Sequence, residues 1–97
     1  MAQVAYSAQT LDQIERAFQG IRDTDPSATG RAAAAIHSAI AGLRFHPLVG
    51  RRLQGELREL VISYGQTGFV ALYRFEILSD EVYVLAIRRQ QELGSVP

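Results

Sequence analysis

The spacing of hydrophobic residues changes at Leu57, and this change constrains the fold more than any other feature of the sequence. Before Leu57, apolar residues recur every three or four positions, as they do on one face of an α-helix. After it, apolar and polar residues alternate in runs rich in β-branched and aromatic side chains. The pattern therefore predicts helices followed by strands, the order typical of an α+β domain.

The helical half is predicted to contain helices near residues 8–22 and 26–45, after a short strand at Val4–Tyr6. Thr10 opens a capping-box pattern for the first helix, and Ser7 is a competing cap one turn earlier. Asp25 and Pro26 begin the second helix as its cap and first residue, and His46-Pro47 ends it. The first apolar stripe is Leu11, Ile14, Phe18 and Ile21; the second is Ala32, Ile36, Ala39, Ile40 and Leu43.

The second half is predicted to form strands near residues 57–63, 69–77 and 81–88. Short connections between consecutive strands indicate an antiparallel meander. Pairing Ser63 with Phe69 across a five-residue loop would place Arg58 beside Arg74. The expected fold is thus a single α+β domain over residues 1–97, with a short N-terminal strand and a helical hairpin packed on the meander. Its predicted core is Leu11, Ile14, Phe18, Ile36, Ile40, Leu43, Leu60, Val70, Leu72, Val84 and Leu85, with the hydroxyls of Tyr64, Tyr73 and Tyr83 at the rim.

Composition excludes several classes of site. The chain has no cysteine, which excludes disulfides, thiolate metal sites and a cysteine nucleophile. All ten basic residues are arginines, and ten acidic residues balance them to a net charge of zero. The absence of lysine excludes a lysine general base. The balanced charge disfavours a protein that functions mainly by binding nucleic acid, since such proteins usually carry an excess of basic residues. The N-terminus does not look like a signal peptide and the longest apolar run is Val82–Ile87, so a cytoplasmic protein is expected.

Arginines are the candidate binding residues. Arg51 and Arg52 form a basic pair on a loop between two glycines, and Arg88 and Arg89 lie at the predicted end of the last strand. Arg74 could contact a target or a phosphate, and its structural alternative is an ion pair with Glu59 or Glu76. For Arg88 and Arg89, the structural alternative is an ordinary solvated strand end.

Metal and acid–base sites are not expected. His37 lies within a predicted helix and His46 at its end, so they do not form an acid–base pair of the ribonuclease type. Asp23 and Asp25 make a poor cation site without further oxygen ligands. No catalytic residue, metal or cofactor is predicted.

An ordered set of short segments resembles the RelE/ParE toxins, the protein half of type II toxin–antitoxin pairs, also called plasmid stabilisation proteins. The segments are Val4–Ser7, Leu43–Pro47 followed by Gly50-Arg51, Arg58–Leu60, Gly68–Arg74 and Asp80–Arg88. The resemblance implies a bacterial growth inhibitor and a cognate antitoxin that lays a helix over the helical hairpin and a strand along the sheet edge. The isolated toxin would then expose an apolar strip, and a homodimer or a toxin–antitoxin hetero-oligomer is the expected assembly.

The resemblance leaves the target open between two chemistries. RelE-like members cut mRNA on the ribosome with clustered lysines and arginines and often a C-terminal tyrosine, whereas ParE-like members bind DNA gyrase. Here lysine is absent, the tail Gln90–Pro97 holds no tyrosine or histidine, and Arg89 stands where many relatives have histidine. These departures favour a gyrase inhibitor without its own covalent chemistry, with Arg51, Arg58, Arg74, Arg88 and Arg89 as target- or partner-binding residues. The alternatives are a ribosome-dependent mRNA endonuclease and a degenerate toxin that only binds its antitoxin.

Overall fold

The computed structural model describes residues 1–64 and 67–90, in which two α-helices pack on a five-stranded sheet. The helices are α1 (Ala8–Thr24) and α2 (Thr29–Gly42), joined through a 3₁₀ turn at Pro26–Ala28. The strands are β1 (Gln3–Tyr6), β2 (Arg51–Gln54), β3 (Leu57–Tyr64), β4 (Thr67–Glu76) and β5 (Glu81–Arg89). The predicted α+β architecture is confirmed. No helix within the described ranges is long and apolar enough to cross a membrane.

Ser7, and not Thr10, caps α1. The Ser7 hydroxyl accepts a hydrogen bond from the Thr10 backbone N–H at 3.0 Å, which satisfies one of the free donors at the helix start. The Thr10 side chain is fully buried instead, and its hydroxyl donates to the backbone oxygen of Val84 at 2.9 Å. The capping box that was expected to start at Thr10 is therefore wrong, because that hydroxyl serves the sheet.

Side chains at the start of α1 act as hydrogen-bonding partners for β5. Strand β1 pairs with β5 only as far as Val84, so the edge of β5 beyond that point needs other partners. They are Ser7 Oγ donating to Leu85 O at 3.1 Å, Thr10 Oγ1 donating to Val84 O, and Gln13 Oε1 accepting from Ile87 N at 2.8 Å. The spacing of three residues keeps these side chains on the helix face that meets the strand.

The second helix is shorter than predicted at both ends. Asp25 precedes a 3₁₀ turn, with Pro26 at its first position, and its carboxylate accepts from the Ser27 hydroxyl and not from a helix N–H. At the other end, α2 stops at Gly42, four residues before His46. The chain then tightens, since Leu43 N–H reaches back only three residues, to Ile40 O at 3.0 Å.

The sheet is mixed, with the strand order β1-β5-β4-β3-β2. β1 runs parallel to β5, while the other neighbours are antiparallel and include the predicted meander. Strand β2 lies in the segment that the sequence indicated as a loop. It pairs with β3 through a two-residue connection in which Gly55 adopts a φ of 57°, a left-handed conformation that suits glycine.

The register of the central hairpin differs by one residue from the prediction. β3 continues to Tyr64 and β4 begins at Thr67, so only residues 65 and 66 separate the paired strands, instead of five residues. Ser63 consequently lies opposite Gly68. Because a slip of one residue exchanges the faces of a strand, Leu72 lies on the side away from the helices and is half-buried.

The core forms between the helices and one face of the sheet. Ile36, Ile40 and Leu43 of the second-helix segment are buried, as predicted. Leu11 is 56% exposed, contrary to prediction, because α1 docks through Thr10, Ile14, Ala17 and Ile21. The other predicted core residues divide into buried Val70 and Val84 and half-buried Ile14, Phe18, Leu60, Leu72 and Leu85. Tyr73 is fully buried and not at the rim.

Candidate functional site

The sheet presents one face away from the helices, called the open face below. The pairing registers place on it alternate residues of the strands, including Arg51, Glu59, Val61, Val70, Leu72, Arg74, Glu76, Glu81, Tyr83, Ala86 and Arg88. Three of the five predicted binding arginines therefore share this face. The other two, Arg58 and Arg89, belong to positions on the helix side. The structure does not bring the five together into one site.

Two arginines of the open face form ion pairs with neighbouring glutamates. Arg51 contacts Glu59 Oε1 through Nε at 2.8 Å and through a terminal nitrogen at 2.7 Å. Arg74 contacts Glu76 at 3.3 Å and places its guanidinium 4.8 Å from the centre of the Tyr83 ring. For Arg74, the structure thus shows the ion-pair alternative, within an otherwise apolar stretch of β4.

Tyr83 extends this polar arrangement toward the end of the sheet. Its hydroxyl donates to Glu81 Oε1 at 2.9 Å, and this hydrogen bond is the main cause that raises the pKa of Tyr83 above 10.0. The charged residues that the described strands place on the open face are Arg51, Arg74 and Arg88 with Glu59, Glu76 and Glu81, three of each sign, so their formal charges cancel.

Arg58 and Tyr73 form hydrogen bonds with the backbone of the segment between α2 and β2. Arg58 donates to the backbone oxygens of Leu48 at 3.1 Å and Gly50 at 2.9 Å. The Tyr73 hydroxyl donates to Pro47 O and accepts from Gly50 N, each at 2.8 Å. The predicted pairing of Arg58 beside Arg74 is wrong, since Tyr73 is the residue opposite Arg58.

Apolar side chains are exposed along this supported segment and the adjoining edge strand. They are Phe45, Leu48, Val49 and Leu53, and are called the apolar edge below. Val49 is 64% exposed, although the backbone on either side of it is fixed by Arg58. Arg52 lies in the same edge strand and donates to Gly55 O at 2.7 Å. A rigid backbone therefore presents apolar side chains to solvent beside the edge of the sheet.

Arg88 and Arg89 point to opposite sides of β5. Arg88 is exposed and lies opposite Val70 on the open face, while Arg89 is half-buried opposite Phe69. The Arg89 Nε is buried and lacks a hydrogen-bond acceptor among the described residues. Both arginines line a cavity of about 590 Å³ between α1 and β5, which among the described residues is also lined by Gln13, Arg16, Ala17, Gly20 and Ile87.

Sequence reasoning overlooked the α1 side of this cavity. Gln13, Arg16 and Gly20 follow one another at spacings of three and four, so they lie on one side of the helix. The sequence feature that could have indicated this side of the cavity is the polar stripe of Gln13 and Arg16, which ends at Gly20 and lies beside the apolar stripe of the same helix. It could not be connected to Arg89 without knowing which face of α1 meets β5.

The histidines and the aspartate pair do not extend either arrangement. His37 is exposed on α2 and His46 is exposed in the segment after it, whereas the open face is on the other side of the sheet. Asp23 and Asp25 lie near the end of α1, and no group of three potential metal ligands occurs in the described part of the chain. The tail residues 91–97, which carried part of the argument about the target, lie outside the described residues.

Comparison with known protein families identifies the family to which this chain belongs. Residues 4–94 match the family described as "ParE toxin of type II toxin-antitoxin system, parDE". The chain belongs to this family. The family is part of the ParE/RelE superfamily, and the predicted membership is confirmed by a relative, Toxin RelE3 of Caulobacter vibrioides. It is 39% identical over 67 residues, which cover 69% of this chain and 71% of the relative.

Solved structures share the fold of this ParE-family chain at low sequence identity. A chromosomal ParDE toxin–antitoxin system from P. aeruginosa matches with a TM-score of 0.75 and 17% identity, covering 92% of this chain and 96% of that one. The toxin–antitoxin complex RelBE2 from Mycobacterium tuberculosis matches with a TM-score of 0.60 and 22% identity, covering 92% and 98%. The ParE-family toxin is thus similar to structures from both named branches.

Proposed function

We propose that this ParE-family toxin inhibits growth by binding a macromolecular target, that the target is DNA gyrase, and that the protein acts in the cytoplasm. The proposal rests on the observation that three strand arginines already bind groups within the protein. Arg51 and Arg74 pair with glutamates on the open face, and Arg58 binds backbone oxygens. These contacts compete with any phosphate for the same guanidinium groups.

The alternative chemistry makes stronger demands on the same surface. Cutting RNA requires cations around the reacting phosphate and a group that moves a proton. Arginine supplies charge but does not deprotonate in proteins, and the hydrogen bond to Glu81 raises the pKa of Tyr83, which disfavours the ionised form that would act as a base. The open face carries as many glutamates as arginines, which lowers its attraction for an RNA backbone. A protein target fits such a mixed surface better.

A cognate antitoxin is the expected partner, as in the ParDE and RelBE2 systems with the same fold. The apolar edge supports this expectation because Phe45, Leu48 and Val49 lie beside β2, whose four residues are all exposed. An edge strand offers unpaired backbone groups to an added strand, and the apolar neighbours supply burial. We expect the antitoxin to cover this edge, so that co-expression gives more soluble toxin than expression alone.

A ribosome-dependent mRNA endonuclease is the second candidate, favoured by the relative named Toxin RelE3. Arg51, Arg58, Arg74 and Arg88 would then form the phosphate-binding set. The third candidate, a degenerate toxin, would bind its antitoxin without inhibiting growth. These alternatives predict different cellular products, so one induction experiment separates them.

The test is to induce the protein in cells, follow plasmid supercoiling and trapped gyrase–DNA complexes, and map mRNA ends on ribosomes. Trapped complexes with intact transcripts are the expected result. Codon-phased mRNA ends that disappear in Arg74→Ala or Arg88→Ala, but persist in the exposed control Arg31→Ala, would establish the endonuclease instead. Normal growth at a verified level of folded protein would indicate the degenerate toxin. Circular dichroism of each variant distinguishes loss of function from loss of fold.

A further inference from the structure

The cavity between α1 and the end of β5 concentrates positive charge. Its lining includes Arg16 from the helix and Arg88 and Arg89 from the strand, and none of its lining residues within residues 1–64 and 67–90 is acidic. Its volume of about 590 Å³ lies within the range of small-molecule and side-chain binding pockets. A concave site lined by three arginines, with no carboxylate among its described lining residues, is suited to an anionic group.

Arg89 differs from Arg51, Arg58 and Arg74 because its Nε is buried and lacks an acceptor among the described residues. Arg51, Arg58 and Arg74 each bind a carboxylate or a backbone oxygen, whereas the buried Nε of Arg89 has no hydrogen-bond partner within residues 1–64 and 67–90. Neither Arg88 nor Arg89 forms a salt bridge in that part of the chain. Leaving a buried donor unsatisfied is unfavourable, more so when the group is charged, and an external acceptor would relieve it.

The α1 side of the cavity can supply further donors. Arg16 contacts Asp12 at 2.9 Å, but both side chains are largely exposed, and such a surface pair is weak enough to exchange for a better-placed anion. Gln13 uses its amide oxygen to accept from Ile87 N–H, which leaves its amide nitrogen available to donate. Helix and strand thus contribute donors of different geometry to one anion.

From this arrangement we infer that the cavity binds a glutamate or aspartate side chain of a partner polypeptide, with Arg89 as its principal contact. The inference rests on the proposed function only in requiring a protein partner. A planar carboxylate matches the two-pronged geometry of a guanidinium group. RNA is the less suitable occupant, because a phosphate chain needs an extended basic track, whereas the open face next to Arg88 has no net formal charge.

The probe for the test is an acetylated and amidated hexaglutamate peptide, titrated into the full chain made by cell-free synthesis. The Nε–H signal of Arg89 in NMR spectra reports local contact, and a fluorescent label on the peptide reports affinity. Hexaglutamine serves as the uncharged control and hexauridylate as the RNA comparison. We expect hexaglutamate to bind at least tenfold more tightly than either comparison and to shift the Arg89 signal.

Three variants locate the binding. Arg89→Gln should weaken hexaglutamate binding at least tenfold and Arg16→Gln more modestly, while Arg31→Gln, which removes the same charge from the exposed surface of α2, should change it little. Gly20→Glu guards against misfolding of Arg89→Gln, because a Cβ at Gly20 has no neighbour within 4 Å. Its carboxylate would enter the cavity from α1 and compete with the peptide.

The inference is overturned by any of three results: no binding of hexaglutamate, binding that survives both Arg89→Gln and Gly20→Glu, or equal or tighter binding of hexauridylate. The same preparations are assayed separately for gyrase poisoning and mRNA cleavage. Gyrase poisoning without peptide binding would refute the cavity assignment alone. Peptide binding with mRNA cleavage would refute the gyrase proposal and leave the cavity assignment standing.

Discussion

Replacing Tyr73 with phenylalanine removes a single oxygen atom, but that atom makes two hydrogen bonds inside the protein. The tyrosine is fully buried, and its hydroxyl bonds Pro47 O and Gly50 N at 2.8 Å each. In Tyr73→Phe, the ring still fills the same space, so no cavity appears. The loss of stability therefore measures the two hydrogen bonds.

The expected magnitude follows from the two partners. Gly50 is buried, so its N–H would lose its acceptor at a cost of about 1–3 kcal/mol, whereas the half-buried Pro47 carbonyl can turn partly to water at a cost of about 0.5–1 kcal/mol. The sum of about 1.5–4 kcal/mol would lower Tm by roughly 6–30 °C in a domain of this size.

Urea and thermal denaturation followed by far-ultraviolet circular dichroism give the measurement, since the chain has no tryptophan. Tyr83→Phe is the matched control, because it removes a hydroxyl that bonds Glu81 at the surface. Amide hydrogen exchange at Gly50 should accelerate in Tyr73→Phe only. If Tyr73→Phe loses no more stability than Tyr83→Phe, the hydroxyl does not hold the segment as described.

Four further outcomes are expected. Burial raises the pKa of Tyr73 above 10.0, although the Gly50 N–H and the Arg58 charge oppose the shift. The stability of the wild-type protein should therefore be full below pH 10 and fall as pH rises through the folded-state pKa of Tyr73. This alkaline loss of stability, measured by urea titration, should be smaller in Tyr73→Phe. Gly50→Ala should destabilise by about 1–3 kcal/mol in the same titration, because its Cβ would lie 2.6 Å from the Tyr73 ring and 2.7 Å from a β3 backbone oxygen; Gly20→Ala, with open space around its Cβ, should stabilise by up to about 1 kcal/mol. Val49→Ser should raise the soluble yield of toxin expressed alone and weaken capture by the antitoxin in a pull-down, and unchanged capture would exclude the apolar edge from that interface.

The sequence predicted the elements better than their relative placement. Periodicity identified Ile36, Ile40 and Leu43 as core because helical spacing determines which residues share a face. It could not determine how α1 rotates on the sheet, and the polar Thr10 faces the interior while Leu11 faces solvent. Periodicity shows which helix residues could be buried. The residues that are buried depend also on the hydrogen bonds that the distant strand β5 requires, which is why Thr10 faces the interior.

Side-chain pairing across strands was the weakest part of the sequence argument. The loop between β3 and β4 was read as five residues, and a shift of one position separated Arg58 from Arg74. Arg58, Arg74, Arg88 and Arg89 were correctly placed on or beside strands, whereas Arg51 was predicted on a loop and lies in β2. The grouping of these arginines depends on register, which alternation alone leaves open. The cavity beside Arg89 could not be predicted because its other wall belongs to a helix about 70 positions earlier in the chain.

The parallel pairing of β1 with β5 also has a consequence for synthesis on the ribosome. β1 is an edge strand whose neighbour in the sheet is β5, and Val4 pairs with Val82 across nearly the whole sequence. While a nascent chain still lacks β5, β1 has no partner and the polar side chains at the start of α1 have no strand to bond. Because closure of such distant contacts is slow and waits for the last strand, incomplete translation products should lack the native fold. The sheet can therefore be completed only after β5 has been synthesised.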